Sequence, residues 1–217
     1  MDSWSCRSAL GVDTKKKSLI AQERDCWQRA LFVAQQKGLD ADDVIVLDEF
    51  GSNIDMTRLF ARAPKGERVY EPQPRNTPRN TTTLAALTNQ GIGPALLLSG
   101  SMTRAAFEVY IEDILGPTLR EGQVIVLDNA TAHHGGRIAE LVAARGCQLW
   151  YLPPYSPDFS PIELAFAKVK AQLRRLKART KEGLEQAIQL ALASITTADA
   201  RAFFTHCGYL QWPLRDQ

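Results

Sequence analysis

The pentapeptide VIVLD occurs twice in this chain, at Val44–Asp48 and at Val124–Asp128. Each copy is an unbroken apolar run closed by an aspartate. Short runs rich in Val and Ile read as strands buried on both faces. An aspartate at the end of such a strand sits at a sheet rim, where loops and ligands meet. If the two strands are neighbours, two carboxylates come close together. Like charges at that range are costly unless a cation or a proton lies between them. A divalent metal site is the simplest resolution. The flanking residues differ, Asp43 and Glu49 against Gln123 and Asn129. The repeat therefore marks two strands with the same job rather than an internal duplication.

Glu163 offers a third carboxylate, with 34 residues between it and Asp128. It lies in YSPDFSPIELAFAKVK, Tyr155 to Lys170, at the start of an amphipathic run. Pro161 suits the first turn of a helix and Ser160 its N-cap. Glu163 then falls in the first turn, where the helix dipole favours a carboxylate. A competing reading makes Glu163 a capping-box acid answering Ser160.

The remaining text orders the elements. Lys15 to Gln36 reads as a helix, stopped by Gly38. Phe50 to Asn80 is irregular and rich in Pro, Arg and Asn, with positive charge at Arg62, Lys65, Arg68, Arg75 and Arg79. Thr81–Thr88 and Pro94–Ser99 predict a hairpin around the Gly91–Gly93 turn. Thr103–Leu119 has helical periodicity, and the second VIVLD strand follows. A short helix is expected over Arg137–Arg145 and a strand over Gln148–Leu152. A proline-rich loop then runs to Pro161, and helices are expected to about Lys177, over Lys181–Ile195 and over Ala198–Phe204. Strands interleaved with helices give the α/β class, a mixed sheet with helices on it. The organisation expected is an N-terminal tail and helical linker over 1–40, a catalytic domain over 41–197, and a C-terminal helix and tail over 198–217.

The formal net charge is +2 in 217 residues, so a nucleic-acid surface has to come from local clustering. From Leu164 to Lys181 there are seven basic residues and no acid: Lys168, Lys170, Arg174, Arg175, Lys177, Arg179 and Lys181. A run this one-sided, directly after a candidate ligand, favours phosphate contact over a merely solvated face. Cys6, Cys26, Cys147 and Cys207 form no C-x-x-C pair and read as reduced cysteines of a cytosolic protein. No apolar stretch approaches the roughly 18 residues that span a bilayer, and residues 1–17 lack the apolar core of a signal peptide.

Three carboxylates at a sheet rim suit two Mg²⁺ or Mn²⁺ ions, which prefer oxygen ligands. Two such ions, roughly 3.5–4 Å apart, clamp the attacking and leaving oxygens of a phosphodiester. Asn129 and His133 are candidates for outer contacts that orient the ligands. His134 neighbours His133, and a plain surface role for the pair remains open. Glu49 borders the first aspartate but points to the opposite side of its strand. Asp42, Asp43, Asp55 and Asp158 are spare acids.

Asp48, Asp128 and Glu163 with this spacing resemble the DDE triad of mariner-superfamily transposases. The segments LDEFGSN, VIVLDNATAHH and YLPPYSPDFSPIELAFAKVK, with the tail FFTHCGY, resemble the bacterial insertion-sequence branch, the six-thirty type. The resemblance covers roughly residues 15–210. It implies an RNase H-like five-stranded sheet and cut-and-paste DNA transposition with two Mg²⁺ or Mn²⁺ ions. It further implies cleavage at terminal inverted repeats, insertion at TA dinucleotides, a homodimer and a bacterial cytoplasmic, nucleoid-associated location. It makes Asp48, Asp128 and Glu163 the metal ligands. The Phe50–Asn80 segment stands where relatives place a dimer-forming clamp loop. Family members carry helix-turn-helix modules of about a hundred residues before this domain, a typical domain size. Here a short stretch precedes the first strand, so the expectation is a catalytic half alone, one frame of a two-frame element or a relic. A regulatory fragment that binds DNA or an intact transposase, and an RNA–DNA hybrid hydrolase, are the rival readings.

Overall fold

The computed structural model describes residues 21–129 and 137–209. Five strands form one mixed sheet: β1 (Val44–Ser52), β2 (Thr81–Thr88), β3 (Gly91–Ser99), β4 (Val124–Leu127) and β5 (Gln148–Tyr151), in the order β3-β2-β1-β4-β5. The two pentapeptides lie side by side. β1 and β4 run parallel, with Val44 opposite Val124, Ile45 opposite Ile125 and Val46 opposite Val126. β2 and β3 are antiparallel to their neighbours, and β5 continues the parallel half.

Strand periodicity sorts the repeated residues into two cores. Val44, Val46, Phe50, Val124 and Val126 face one side. Helix α4 (Pro161–Leu176) covers it with Ile162, Ala165, Phe166, Val169 and Leu173, and α5 (Lys181–Ala193) and α6 (Thr197–His206) complete that layer. Ile45, Leu47, Ile125 and Leu127 face the other side, against Phe107, Tyr110, Ile111 and Leu115 and against α3 (Ile138–Ala143). The runs are unbroken because both faces are covered. Burying each large side chain contributes about 1.5–3 kcal/mol, so the central strands are held firmly from both sides.

Several boundaries differ from the sequence reading. Helix α1 (Cys26–Gln36) starts at Asp25, whose carboxylate accepts from the Trp27 and Gln28 backbone N–H groups at 2.8 and 3.0 Å. That cap satisfies the first free donors and fixes the start; residues 15–20 of the expected helix lie outside the described residues. β3 begins at Gly91 instead of Pro94, because the hairpin closes over two residues with Thr88 opposite Gly91. Gly91 supplies the positive φ of 136° that this start needs. Pro94 is tolerated because β3 is an edge strand.

The single helix expected over Thr103–Leu119 is three pieces: α2 (Arg104–Val109), a π-helical segment Tyr110–Leu115 and a 3-10 turn Gly116–Thr118. Regular α-helix already ends at Val109, and Pro117, which donates no backbone hydrogen bond and crowds the preceding turn, keeps it from resuming. Gly116 passes so close to Ile111 that an added Cβ would lie 2.8 Å from its carbonyl oxygen. At the other end of the chain, α6 begins one residue before the expected Ala198, on a full capping box between Thr196 and Asp199.

Candidate active site

Asp48 lies within β1, opposite Ala85 of β2. It is two residues past Val46, so it shares the face covered by α4. Asp128 follows Leu127, the last residue of β4, two residues past Val126 on that same face. Extending the register by two places sets Asp128 beside Asp48, on strands about 4.8 Å apart. Glu163 sits in the first turn of α4, which packs on the same face of the sheet. The three carboxylates line one cleft of about 350 Å³, whose opposite wall is the loop from Leu152 to Ser160. Glu49 falls in line with Ile45 and Leu47, towards the other core.

The capping-box alternative for Glu163 does not describe this helix. Ser160 occupies the N-cap position but makes no side-chain capping bond, and Pro161 opens the helix. Glu163 is exposed at the helix start, with its backbone N–H on the Ser160 carbonyl at 3.2 Å. Its carboxylate is favoured there by the helix dipole.

Electrostatics bind the cluster. Burial raises the Asp48 carboxyl to about 7, and Glu163, Asp128 and Glu49 push in the same direction. The Glu49 backbone N–H, donating to Asp48 Oδ1 at 2.7 Å, works against them. A carboxyl with so much opposing its charge, among further carboxylates, fits a hard cation better than it fits empty solvent. Among the described residues no three acidic, His or Cys side chains converge tightly enough to grip one ion. Mutual repulsion between uncompensated carboxylates acts in that direction.

The other expected residues are spread more widely. Asn129 lines the cleft beside Asp128. His133 and His134 lie outside the described residues. Along α4, Lys170 and Arg174 stand seven and eleven places after Glu163 and share its side of the helix. Lys170 lies over the Phe50 ring at 5.6 Å. Lys168 is drawn to Asp199 at 2.6 Å, and Lys177 pairs with Glu71. Arg175 is exposed in the last turn. Arg179 serves the fold, donating to the Ile54 and Met56 carbonyls at 2.7 and 3.1 Å and pinning the segment after β1.

The sequence reading passed over the proline-rich wall. Asp158, taken as a spare acid, is gripped by Arg29 at 2.6 Å and Arg24 at 2.8 Å. Burial works to raise its carboxyl, but the Arg29 and Arg24 guanidiniums hold it below the usual range. Phe159 stacks on Phe32 of α1 at 5.2 Å with Arg29 over its ring. The wall is thus clamped by the N-terminal helix. Tyr155 is the large side chain of this wall that stays exposed, at 60%, with the smaller Pro157 also exposed. The Arg partners were not readable because they lie 129 and 134 positions away in sequence.

The Mos1 transposase paired-end complex with left transposon end superposes with a TM-score of 0.76 at 14% identity, covering 94% of this chain and 66% of that one. The Mos1 mariner paired-end complex with Mn gives 0.70 at 12% identity, with 94% and 66% covered. The catalytic domain of Mos1 mariner transposase gives 0.59 at 11% identity, with 89% and 92% covered. This chain therefore spans about two thirds of the longer Mos1 chains and nearly all of the isolated catalytic domain. At these identities the likeness establishes the fold, an RNase H-like mixed sheet with flanking helices. No curated protein matches the sequence. Residues 43–185, which hold all three carboxylates, match the DDE superfamily endonuclease family, and the chain belongs to it.

Proposed function

We propose that this chain is the catalytic domain of a cut-and-paste DNA transposase, cleaving and joining phosphodiesters at Asp48, Asp128 and Glu163. The observation that carries the reading is the in-register pairing of the two VIVLD strands, which aims two aspartates at the helix that bears Glu163. The Mos1 complexes, with transposon-end DNA and with Mn or Mg, support DNA and divalent metal as this chain's partners too.

The carboxylates of Asp48, Asp128 and Glu163 would hold two Mg²⁺ or Mn²⁺ ions, which supply charge neutralisation of the phosphodiester and an activated attacking oxygen. The protein's own part is positional. The central strands fix the aspartates, α4 fixes Glu163, and Asn129 is placed to orient its neighbour Asp128. Lys170 and Arg174 continue from Glu163 along one side of α4, where they track a DNA backbone leaving the cleft. Arg175 adds exposed positive charge near that path, and Lys168 and Lys177 would join it by exchanging Asp199 and Glu71 for phosphate.

The PPYSPDFSPIE and FFTHCGY text supports the bacterial insertion-sequence branch, with terminal inverted repeats and TA targets as its DNA. The segment 53–80 supports a homodimer. It leaves Leu59, Phe60, Val69 and Tyr70 exposed, an apolar set that a partner subunit would cover. The catalytic unit is taken as 41–197, with α1 and the 198–209 segment packed on the same core.

Cleavage of a labelled duplex bearing candidate inverted-repeat ends with Mn²⁺, beside Glu163→Ala, tests the reading. We expect metal-dependent cleavage that falls at least about 100-fold in the variant, more than the loss of an outer contact to a ligand costs. Cleavage that persists in Glu163→Ala would overturn it.

A further inference from the structure

We propose that Tyr155 is a base-stacking residue, holding an unpaired nucleobase of the DNA beside the phosphate that the three carboxylates receive. The inference rests on the reading of the cleft as a DNA-cleaving site and adds a role for a residue outside the triad.

Tyr155 has φ 52°, in the left-handed region. Among the described residues Lys177 is the other non-glycine with positive φ. Lys177 has a structural reason, since it ends α4 and its N–H bonds to the Leu173 carbonyl at 3.0 Å. Tyr155 follows Pro154 in a tight turn, at the place where Gly or Asn adopts positive φ most cheaply. The turn is rigid, with Ser156 Oγ donating to the Pro154 carbonyl at 3.0 Å and Pro153 and Ser156 buried on either side. The ring gains no burial from its strained backbone: Tyr155 is 60% exposed and lines the cleft that also holds Asp48, Asp128 and Glu163. Strain held without packing gain at the edge of a reactive cleft points to use rather than to stability.

The chemistry selects the occupant. Phosphate belongs to the carboxylate-bound cations and the basic face of α4. A flat aromatic face offers phosphate nothing, but it matches the π-face of any base. A base can present that face when it is unpaired, at a strand end, a nick or a flipped-out nucleotide.

The test uses the full chain with Ca²⁺ and a short duplex whose single-stranded 3′ tail carries 2-aminopurine, a base whose fluorescence drops on stacking. Wild type and Tyr155→Phe should quench the probe and bind alike. Tyr155→Asn and Tyr155→Gly suit left-handed backbone, so they should fold with an unchanged or higher Tm. They should lose the quenching and bind about 5- to 150-fold more weakly, the range for one base stacked on an aromatic ring. Full quenching and affinity in Tyr155→Asn, or no quenching in wild type, overturns the proposal. Mn²⁺-dependent cleavage, followed in parallel, separates the two readings. Quenching without any cleavage would sink the nuclease and leave the stacking role standing.

Discussion

The two VIVLD strands have the same sequence and different surroundings. β1 runs nine residues, pairing with β4 over Val44–Val46 and with β2 from Val46 through Ser52, so Asp48 sits within a strand with Ala85 opposite it. β4 stops after four residues, so Asp128 is already the first residue of a loop. One aspartate is half-buried and held towards its neutral form, with the carboxyl raised to about 7. Asp128 is half-buried too, just past the end of its strand, and its charge helps to raise Asp48. Identical pentapeptides thus give two carboxylates in different settings, and the difference comes from what lies beside them rather than from the residues themselves.

Replacing equivalent core residues tests how alike the strands are below the aspartates. Ile45 and Ile125 are register partners on one face, 3% and 0% exposed. Ile45→Ala and Ile125→Ala should each cost about 2–5 kcal/mol, read from the denaturant midpoint at unchanged slope. Because the two side chains are neighbours, the double variant should depart from the sum. A loss well under 1 kcal/mol at either site would end the equivalence.

At the aspartates, Asp48→Asn and Asp128→Asn should both lower Mn²⁺-dependent cleavage by at least about 100-fold. Metal-free stability should separate them. Folded Asp48 keeps its proton up to about pH 7, whereas an unfolded Asp releases it near 3.8. Stability contributed by the protonated form is therefore full below the unfolded value and is lost as pH rises towards 7. The slope is at most about 1.4 kcal/mol per pH unit for one proton. Asp48→Asn should abolish that slope, Asp128→Asn should only soften it, and saturating Mn²⁺ should suppress it by favouring the ionised form. An unchanged slope in Asp48→Asn would show that burial does not set this carboxyl.

The smallest effect concerns the start of α4, which bears Glu163. Thr180 caps α5 and Thr196 caps α6 through their hydroxyls, while Ser160 makes no such bond. Thr180→Ala and Thr196→Ala should each cost about 1 kcal/mol, and Ser160→Ala clearly less. An equal loss at Ser160 would restore the capping reading of Glu163 and weaken its claim as a ligand.

How far the sequence carried these conclusions depends on the range of the interactions. The strands were legible because Val44–Leu47 and Val124–Leu127 follow a local pattern, and period two then decides which face each aspartate takes. Glu163 was legible through Pro161, a local helix-start signal. The π-helical Tyr110–Leu115 was hidden because its periodicity is still helical, and Pro117 alone did not say how the chain would adapt. Asp158 was misjudged as spare because Arg24 and Arg29 reach it from far along the chain. Tyr155 was overlooked because its left-handed backbone is imposed by the clamped loop, against the preference of its own side chain.

The parallel register of β1 and β4 also governs when a working centre can exist. Val44 and Val124 are 80 positions apart, and a parallel pair cannot form through a local turn. Its loop-closure entropy must be met before the contact gives anything back, so this pairing belongs among the slower events of folding. A growing chain on the ribosome therefore carries Asp48 long before Asp128 has a strand to sit on. The two aspartates are brought side by side only when that parallel pair has formed.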